Sequence, residues 1–307
     1  MTLSSERRER RAGVHEVALR QAGVVSVSQL GALGVSRAAM RAEIAAGRWH
    51  RRGTRTLVVA PFAVCAETDW WTAVLETGRV SALDGTSALE HAGLRNFTDD
   101  SVHVSVPRFD HRRQQSGVVV HNINKRLDGE LDGGCLRCVR PDVATIRAAA
   151  WARTDRQAAL IMTMAVQQRL LSGETLIAAS LWVGVRERRE FIRRTALDIG
   201  AGSESLGELD FIGLCRQEGL PLPSQQVVRT GSSGRVYLDV RWPCGLVVEI
   251  DGVQHHEGMG PVDDALRQNA VTLGSDKVLR VPLLGLRLYP ERFIAQVRQG
   301  LAVLGAA

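Results

Sequence analysis

Lysine is almost absent from this chain: only Lys125 and Lys277 stand among its 39 basic residues. An arginine bias of this kind follows from a GC-rich genome as readily as from chemistry, so arginine content alone identifies no ligand. Long apolar runs are missing too. None approaches the roughly 20 residues that a helix needs to cross a bilayer, so no membrane partner is expected. The N-terminal stretch MTLSSERRERRAG has charge but no apolar segment behind it, and does not read as a secretory signal. Cysteine is odd in number, with five residues at Cys65, Cys135, Cys138, Cys215 and Cys244. Cys135 and Cys138 form one C-x-x-C, but no second Cys or His pair lies at zinc-ribbon spacing. Reduced loop thiols are therefore expected there, in preference to a structural zinc. These absences together point to a cytoplasmic protein.

What is present points to several modules. At 307 residues the chain exceeds one typical domain, and two or three are expected. Its hydrophobic share of 45% and charged share of 23% are ordinary for a globular protein. The charge is unevenly spread. Residues 1–60 hold eleven Arg against four Glu, a balance of +7, and the chain total of +6 leaves the rest at −1. A basic module on a near-neutral body is the footprint of a polyanion binder.

Residues 1–60 read as short helices and a β-ribbon. Val14–Ala22 is periodic and ends at Gly23. Ser26 with Gln29 three residues on is a capping box, and the helix it starts stops at Gly34. Ser36 caps a third helix that closes at Gly47. Trp49 to Val59 then fits a turn and a strand. This is the layout of a winged helix-turn-helix, with double-stranded DNA as its partner. Arg37 and Arg41, at i and i+4, would face a major groove. Arg48, Arg51, Arg52 and Arg55 would follow the phosphates. A solvated basic surface is the structural alternative.

Residues 61–200 predict a middle α/β domain. Helices are expected from Trp70, over Thr86–Leu94, Asp142–Trp151, Arg156–Leu171 and Arg186–Ile199, with the Gly200-Ala201-Gly202 break as the last boundary. Val102–Val106 and Val118–His121 read as strands, joined by the basic loop Arg108–Gln115, either a nucleic-acid contact or a solvated hairpin loop. His103 and His121 are expected to decorate sheet faces.

Residues 201–307 carry the most informative segment, YLDVRWPCGLVVEIDGVQHH from Tyr237 to His256. Alternation puts Glu249 and Asp251 on one face of a strand, with Val248 and Ile250 on the other. A hairpin through Trp-Pro-Cys-Gly would bring Asp239 beside them. Three converging carboxylates repel one another unless a cation sits among them, and oxygen donors suit Mg²⁺ or Mn²⁺ before Zn²⁺. Turn caps, and Glu249 pairing with Arg280 or Arg267, are the structural alternative. The element order α-β-β-β-α-β-α describes a mixed sheet flanked by helices.

In order, the motifs S-x-x-E (Ser205 to Glu208), G-L-P-x-P-x-x-Q, Y-L-D, V-E-I-D-G-x-x-H, D-x-x-R (Asp264 to Arg267) and V-L-R-V resemble the bacterial domain family related to very-short-patch-repair endonucleases, within the PD-(D/E)xK superfold. The likeness covers residues 203–290. A looser one, over GVVSVSQLGALGVSRAAMRAEIAAGRWHRR and SALDGTSALEHAGL, is to abortive-infection (AbiEi-like) type IV antitoxin regulators. By position, the first resemblance implies Asp239 and Glu249 as metal ligands and Glu208 as the helix-borne acid. It also implies His255 as general base or phosphate-polarising group, with Arg267 or Arg280 adding positive charge. Asp251 stands where many members have Lys, as a third ligand or an anchor behind the first two. The implied activity is Mg²⁺-dependent hydrolysis of DNA phosphodiesters in defence or repair. The second resemblance implies a non-catalytic transcriptional regulator or autorepressor, with a toxin-like protein partner or a homodimer.

Overall fold

In the computed structural model of this protein, residues 3–97, 99–108, 115–200, 211–230, 236–251, 277–282, 286 and 289–305 are described. Among them it is mixed α/β, with eleven helices and three small sheets. Among the described residues, no helix is long and apolar enough to cross a membrane. The backbone clusters into two compact units, Met1–Ala148 and Ala149–Ala307.

The first unit begins with α1 (Leu3–Arg20), β1 (Val24–Ser26), α2 (Val27–Ala32), α3 (Arg37–Ala45), β2 (Trp49–Arg51) and β3 (Thr56–Val59). The caps fall where the sequence signals them. Ser26 and Gln29 make both halves of a capping box, and the Ser36 hydroxyl accepts from the Ala39 N–H. Helix α1 starts well before Val14, because the preceding Arg, Glu and Ala are strong helix formers without an apolar stripe. The three strands form an antiparallel sheet in the order β1-β3-β2, with Val24 opposite Val58 and Trp49 opposite Val59. Beneath it lie Val14, Leu30, Met40, Trp49 and Leu57. Fully buried Leu30 and Leu57 contribute about 1.5–3 kcal/mol each.

Next come α4 (Ala66–Thr77), β4 (Ala82–Leu83), α5 (Gly85–His91), β5 (Val102–Pro107), β6 (Val118–Ile123) and α6 (Pro141–Trp151). Buried Glu76 of α4 takes hydrogen bonds from the Thr54 and Thr56 hydroxyls and the Arg55 N–H, at 3.0, 2.8 and 2.6 Å. This holds the β2–β3 turn onto α4. Burial alone would raise the Glu76 carboxyl, but bonds from Thr56, Arg55 and Thr54 outweigh it and hold it below the ordinary range. Gly53 completes the fit, since a Cβ there would stand 2.4 Å from Glu76 Oε1. The second sheet runs β4-β5-β6, and its β5–β6 pair is parallel, with Val102 opposite Val118. The hairpin alternative for the loop between these strands is thereby overturned: a hairpin can only join antiparallel neighbours.

A buried ion network closes this unit. The Arg147 guanidinium on α6 reaches Asp84 at 3.0 Å and Glu130 at 2.8 Å. Asp84 also caps α5 through the Gly85 N–H, and Arg126 joins Glu130 to the Ser105 carbonyl and hydroxyl of β5.

The second unit holds α7 (Asp155–Gln167), α8 (Gly173–Trp182), α9 (Arg189–Gly200), α10 (Phe211–Gln217), β7 (Gln225–Thr230), β8 (Val236–Arg241), β9 (Leu246–Asp251), β10 (Lys277–Pro282) and α11 (Pro290–Val303). Helix α8 is not among the helices expected from the sequence. Ser172-Gly173 has the composition of a stop, whereas Ser172 is the N-cap of the next helix, accepting from the Thr175 N–H. Gly173 and Gly200 let α8 and α9 touch backbone to backbone, since a Cβ on Gly173 would lie 2.7 Å from Gly200 Cα. The sheet order is β10-β9-β8-β7, with β9–β10 parallel and the other pairs antiparallel. Its core is Val240, Trp242, Val248, Ile250 and Val281 against Phe211, Cys215, Ile294, Val297 and Leu301.

Replacing Arg147 by Met should strand two buried carboxylates and destabilise the first unit by about 3–5 kcal/mol. Thermal and urea unfolding of R147M beside wild type measures this, and a loss below about 1 kcal/mol would contradict the role given to the network.

Candidate functional site

The β8–β9 hairpin turns through Trp242-Pro243-Cys244-Gly245, with Gly245 at φ +88° where a left-handed residue is needed. The Trp242 N–H donates to the Leu246 carbonyl at 2.9 Å, and its indole N–H to the Pro221 carbonyl at 2.8 Å. Anchored in this way, Trp242 sets the register that places Asp239 directly opposite Glu249. Parallel β10 puts Arg280 on the other side of Glu249, and Arg280 Nε stands 3.4 Å from Glu249 Oε2. Asp239, Glu249 and Arg280 thus form one row across the sheet. Val248 and Ile250 are fully buried on the opposite, helix-covered face.

Glu249 is buried and Asp239 half-buried. Like charges directly opposite on a sheet repel, and the guanidinium of Arg280 offsets one of the two carboxylates. The pairing of Glu249 with Arg280 that the structural alternative called for is present; the Asp239–Glu249 juxtaposition that a metal site requires is present beside it. Asp251 pairs in register with Tyr237 and Pro282, two residues beyond Glu249 on the same strand. Glu208, His255 and Arg267 lie outside the described residues. As a donor set, two adjacent carboxylates with one neighbouring cation fit a hard divalent ion such as Mg²⁺.

The six arginines expected to meet DNA separate into two groups. Arg37 and Arg41 are exposed on α3, while Met40 of the same helix is buried. Arg51 on β2 and Arg55 in the turn are exposed too. Among the described residues, no acidic side chain pairs with any of these four. Arg48 instead bonds Glu43, which also takes Arg11 at 3.3 Å. The Arg48 guanidinium, helped by Arg11, holds the Glu43 carboxyl below its ordinary range. Arg52 pairs with Asp69 on α4.

A second constellation in this unit escapes sequence reading. A cleft of about 930 Å³ is bordered by Arg52, Asp69, Trp70, Glu90 and Asp99. Burial, with Asp99 nearby, pushes the Glu90 carboxyl up. The Asp99 carboxylate takes the Thr86 hydroxyl at 3.2 Å and lies 3.2 Å from His103 Nε2. His103 Nδ1 is 2.8 Å from His121 Nε2, and the two rings stack. Burial and then His103 push His121 down to about 3. The parallel register sets Ser105 opposite His121, which leaves His103 one pleat away on the same face. Only that register reveals the pair, since the histidines are eighteen residues apart. They do lie on a sheet face as expected, but as members of a chain of polar contacts.

No protein-family model and no curated protein matches this chain.

Since the folded protein keeps His121 neutral while the unfolded chain protonates near 6.5, stability is full above that pH. It falls between 6.5 and about 3, where the unfolded state alone binds the proton. The contribution is up to about 1.4 kcal/mol per pH unit in that window. Urea unfolding across it should show a shallower acid loss for His121→Asn than for wild type. Equal slopes would mean that His121 titrates normally in the fold.

Proposed function

We propose that this protein binds duplex DNA through its first unit and hydrolyses DNA phosphodiesters at the Asp239–Glu249 row of its second. The observation that carries the DNA-binding half is the separation among the arginines. Glu43 and Asp69 take Arg48 and Arg52, leaving Arg37, Arg41, Arg51 and Arg55, on α3 and the β2–β3 hairpin, without an acidic partner among the described residues. Two capped helices followed by a two-stranded ribbon support the winged-helix reading, with α3 as the helix that enters the major groove. Arg51 and Arg55 then serve phosphates, which give affinity without sequence preference.

The hydrolytic half rests on the direct register of Asp239 and Glu249, in a four-stranded sheet with helices on one face. This supports the PD-(D/E)xK reading. Asp239 and Glu249 would hold Mg²⁺, which when bound acidifies water and neutralises phosphate charge. Arg280, already beside Glu249, orients that carboxylate and presents a positive group near the row. Glu208, Asp251 and His255 complete the proposed constellation by position, and Arg267 its DNA contacts.

One observation favours the non-catalytic regulator: Glu249 is already paired with Arg280, an ordinary structural use of a buried carboxylate. On that reading the second unit serves a toxin-like protein or a second copy. Plasmid incubated with Mg²⁺ or Mn²⁺ separates the two. Wild type should nick or cut, while Asp239→Ala and Glu249→Ala should lose at least about a hundredfold in rate, the scale of removing one group that stabilises the transition state. No cleavage by wild type under either ion, with DNA binding intact, sinks the enzymatic half.

The DNA-binding half has its own measurement. Arg37→Ala with Arg41→Ala should lower affinity for duplex DNA and flatten the dependence of log K on log salt by about 0.9 for each phosphate no longer neutralised. Unfolding should stay within about 0.5 kcal/mol of wild type, because both side chains are exposed. Unchanged affinity and slope would show that α3 does not meet DNA.

A further inference from the structure

We propose that His91, Asp132 and Cys138 form a zinc site in the first unit, separate from the carboxylate row. Their donor atoms, one imidazole nitrogen, one carboxylate oxygen and one thiol sulfur, all lie within 4.8 Å of one another. Tetrahedral zinc bonds of about 2.0–2.3 Å set donors about 3.3–3.8 Å apart, so small side-chain rotations that bring the three together by about 1 Å complete the geometry. Among the described residues no hydrogen bond or ion pair joins the three donors, so mutual pairing does not account for their convergence.

The surrounding backbone holds them in place. Asp132 and Cys138 face each other across a small hairpin, where the Asp132 N–H donates to the Cys138 carbonyl at 3.0 Å and Leu131 bridges Val139. Cys138 also bridges Leu83, the residue before the Asp84 cap of α5. Seven residues later, in the last turn of the same helix, stands His91, its ring edge-on to Trp70. One carboxylate oxygen of Asp132 is oriented by the Gly134 N–H at 2.9 Å. A nitrogen, an oxygen and a sulfur donor are thus carried by segments already fixed by backbone hydrogen bonds, as a preorganised site requires.

The donor chemistry chooses the ion. Sulfur and imidazole with a single carboxylate suit Zn²⁺ over Mg²⁺ or Ca²⁺. Zinc takes cysteine as the thiolate, so an ion at the buried Cys138 displaces the thiol proton, and a thiophilic cation is the kind that does so. Cys135 is exposed and outside the trio, and among the described residues no fourth donor joins it. Bridging α5 to the 131–139 hairpin, zinc would strengthen the junction that Asp84 and Glu130 make with Arg147.

The test uses the full chain, stripped of metal and then loaded with Zn²⁺ or Co²⁺. One zinc per chain should be retained after dialysis, and the Co²⁺ form should show a sulfur-to-cobalt charge-transfer band, a signature that the all-oxygen row cannot produce. Cys138→Ser should abolish that band and Cys135→Ser should leave it. Cys138 is buried, so His91→Gln and Asp132→Asn, at accessible positions, decide the matter if Cys138→Ser fails to fold. Each should weaken zinc at least tenfold with an unchanged circular dichroism spectrum. Failure of wild type to retain zinc or show the band, affinity undiminished in both accessible variants, or loss in Cys135→Ser without loss in His91→Gln each overturns the site.

Discussion

The first unit hangs on one buried guanidinium. Arg147 is almost wholly enclosed, and a cation so placed is tolerable only where carboxylates meet it with good geometry. Asp84 and Glu130 do so from well-separated stretches of the chain. Because Asp84 is also the cap of α5, the charge that neutralises Arg147 decides where that helix starts. Because Glu130 borders the 131–139 hairpin, the same interaction sets where Asp132 and Cys138 stand. Arg126 extends the network to Ser105 on β5, the strand that carries His103. Burial opposes the positive charge on Arg147, and Asp84 with Glu130 more than restores it. The His103–His121 pair and the proposed zinc trio both depend on this one set of ion pairs.

Carboxylates also decide what the basic surface offers. Glu43 draws Arg48 and Arg11 together, and Asp69 draws Arg52 toward α4, while Arg37 and Arg41 on α3 and Arg51 and Arg55 on the ribbon keep no acidic partner among the described residues. Glu76 works differently: it holds the turn itself through two hydroxyls and one N–H. A ribbon held in this way keeps Arg55 in a constant relation to α4, and a fixed side chain gives up less conformational entropy on meeting any ligand. In the second unit Arg280 pairs with Glu249, one of two carboxylates brought together by strand register.

Local signals are legible wherever a short stretch contains both partners. The Ser26–Gln29 box, the Ser36 cap, the β8–β9 hairpin and the alternation that separates Glu249 from Ile250 each need fewer than about a dozen residues, and the structure has each of them. Reading fails where the partner is distant or the cue ambiguous. Ser172-Gly173 is equally a helix end and a helix start, and only the packing of α8 against α9 decides between them. The β5–β6 loop has the composition of a hairpin, but the strands lie parallel, a choice made by sheet neighbours. Arg52 has the look of a phosphate ligand because Asp69, seventeen residues on, becomes its partner only after α4 packs.

From the sequence by itself follow the caps, most of the helices, the basic N-terminal module and the facing of Asp239 toward Glu249, because hydrogen bonds and pleat periodicity act over one or two turns of chain. Tertiary structure alone decided which arginines meet a carboxylate, that Glu249 meets Arg280 across a parallel strand pair, that His103 touches His121, and that His91, Asp132 and Cys138 converge. Those pairings join residues that chain order separates, and only burial of the intervening apolar surface brings them within reach of one another.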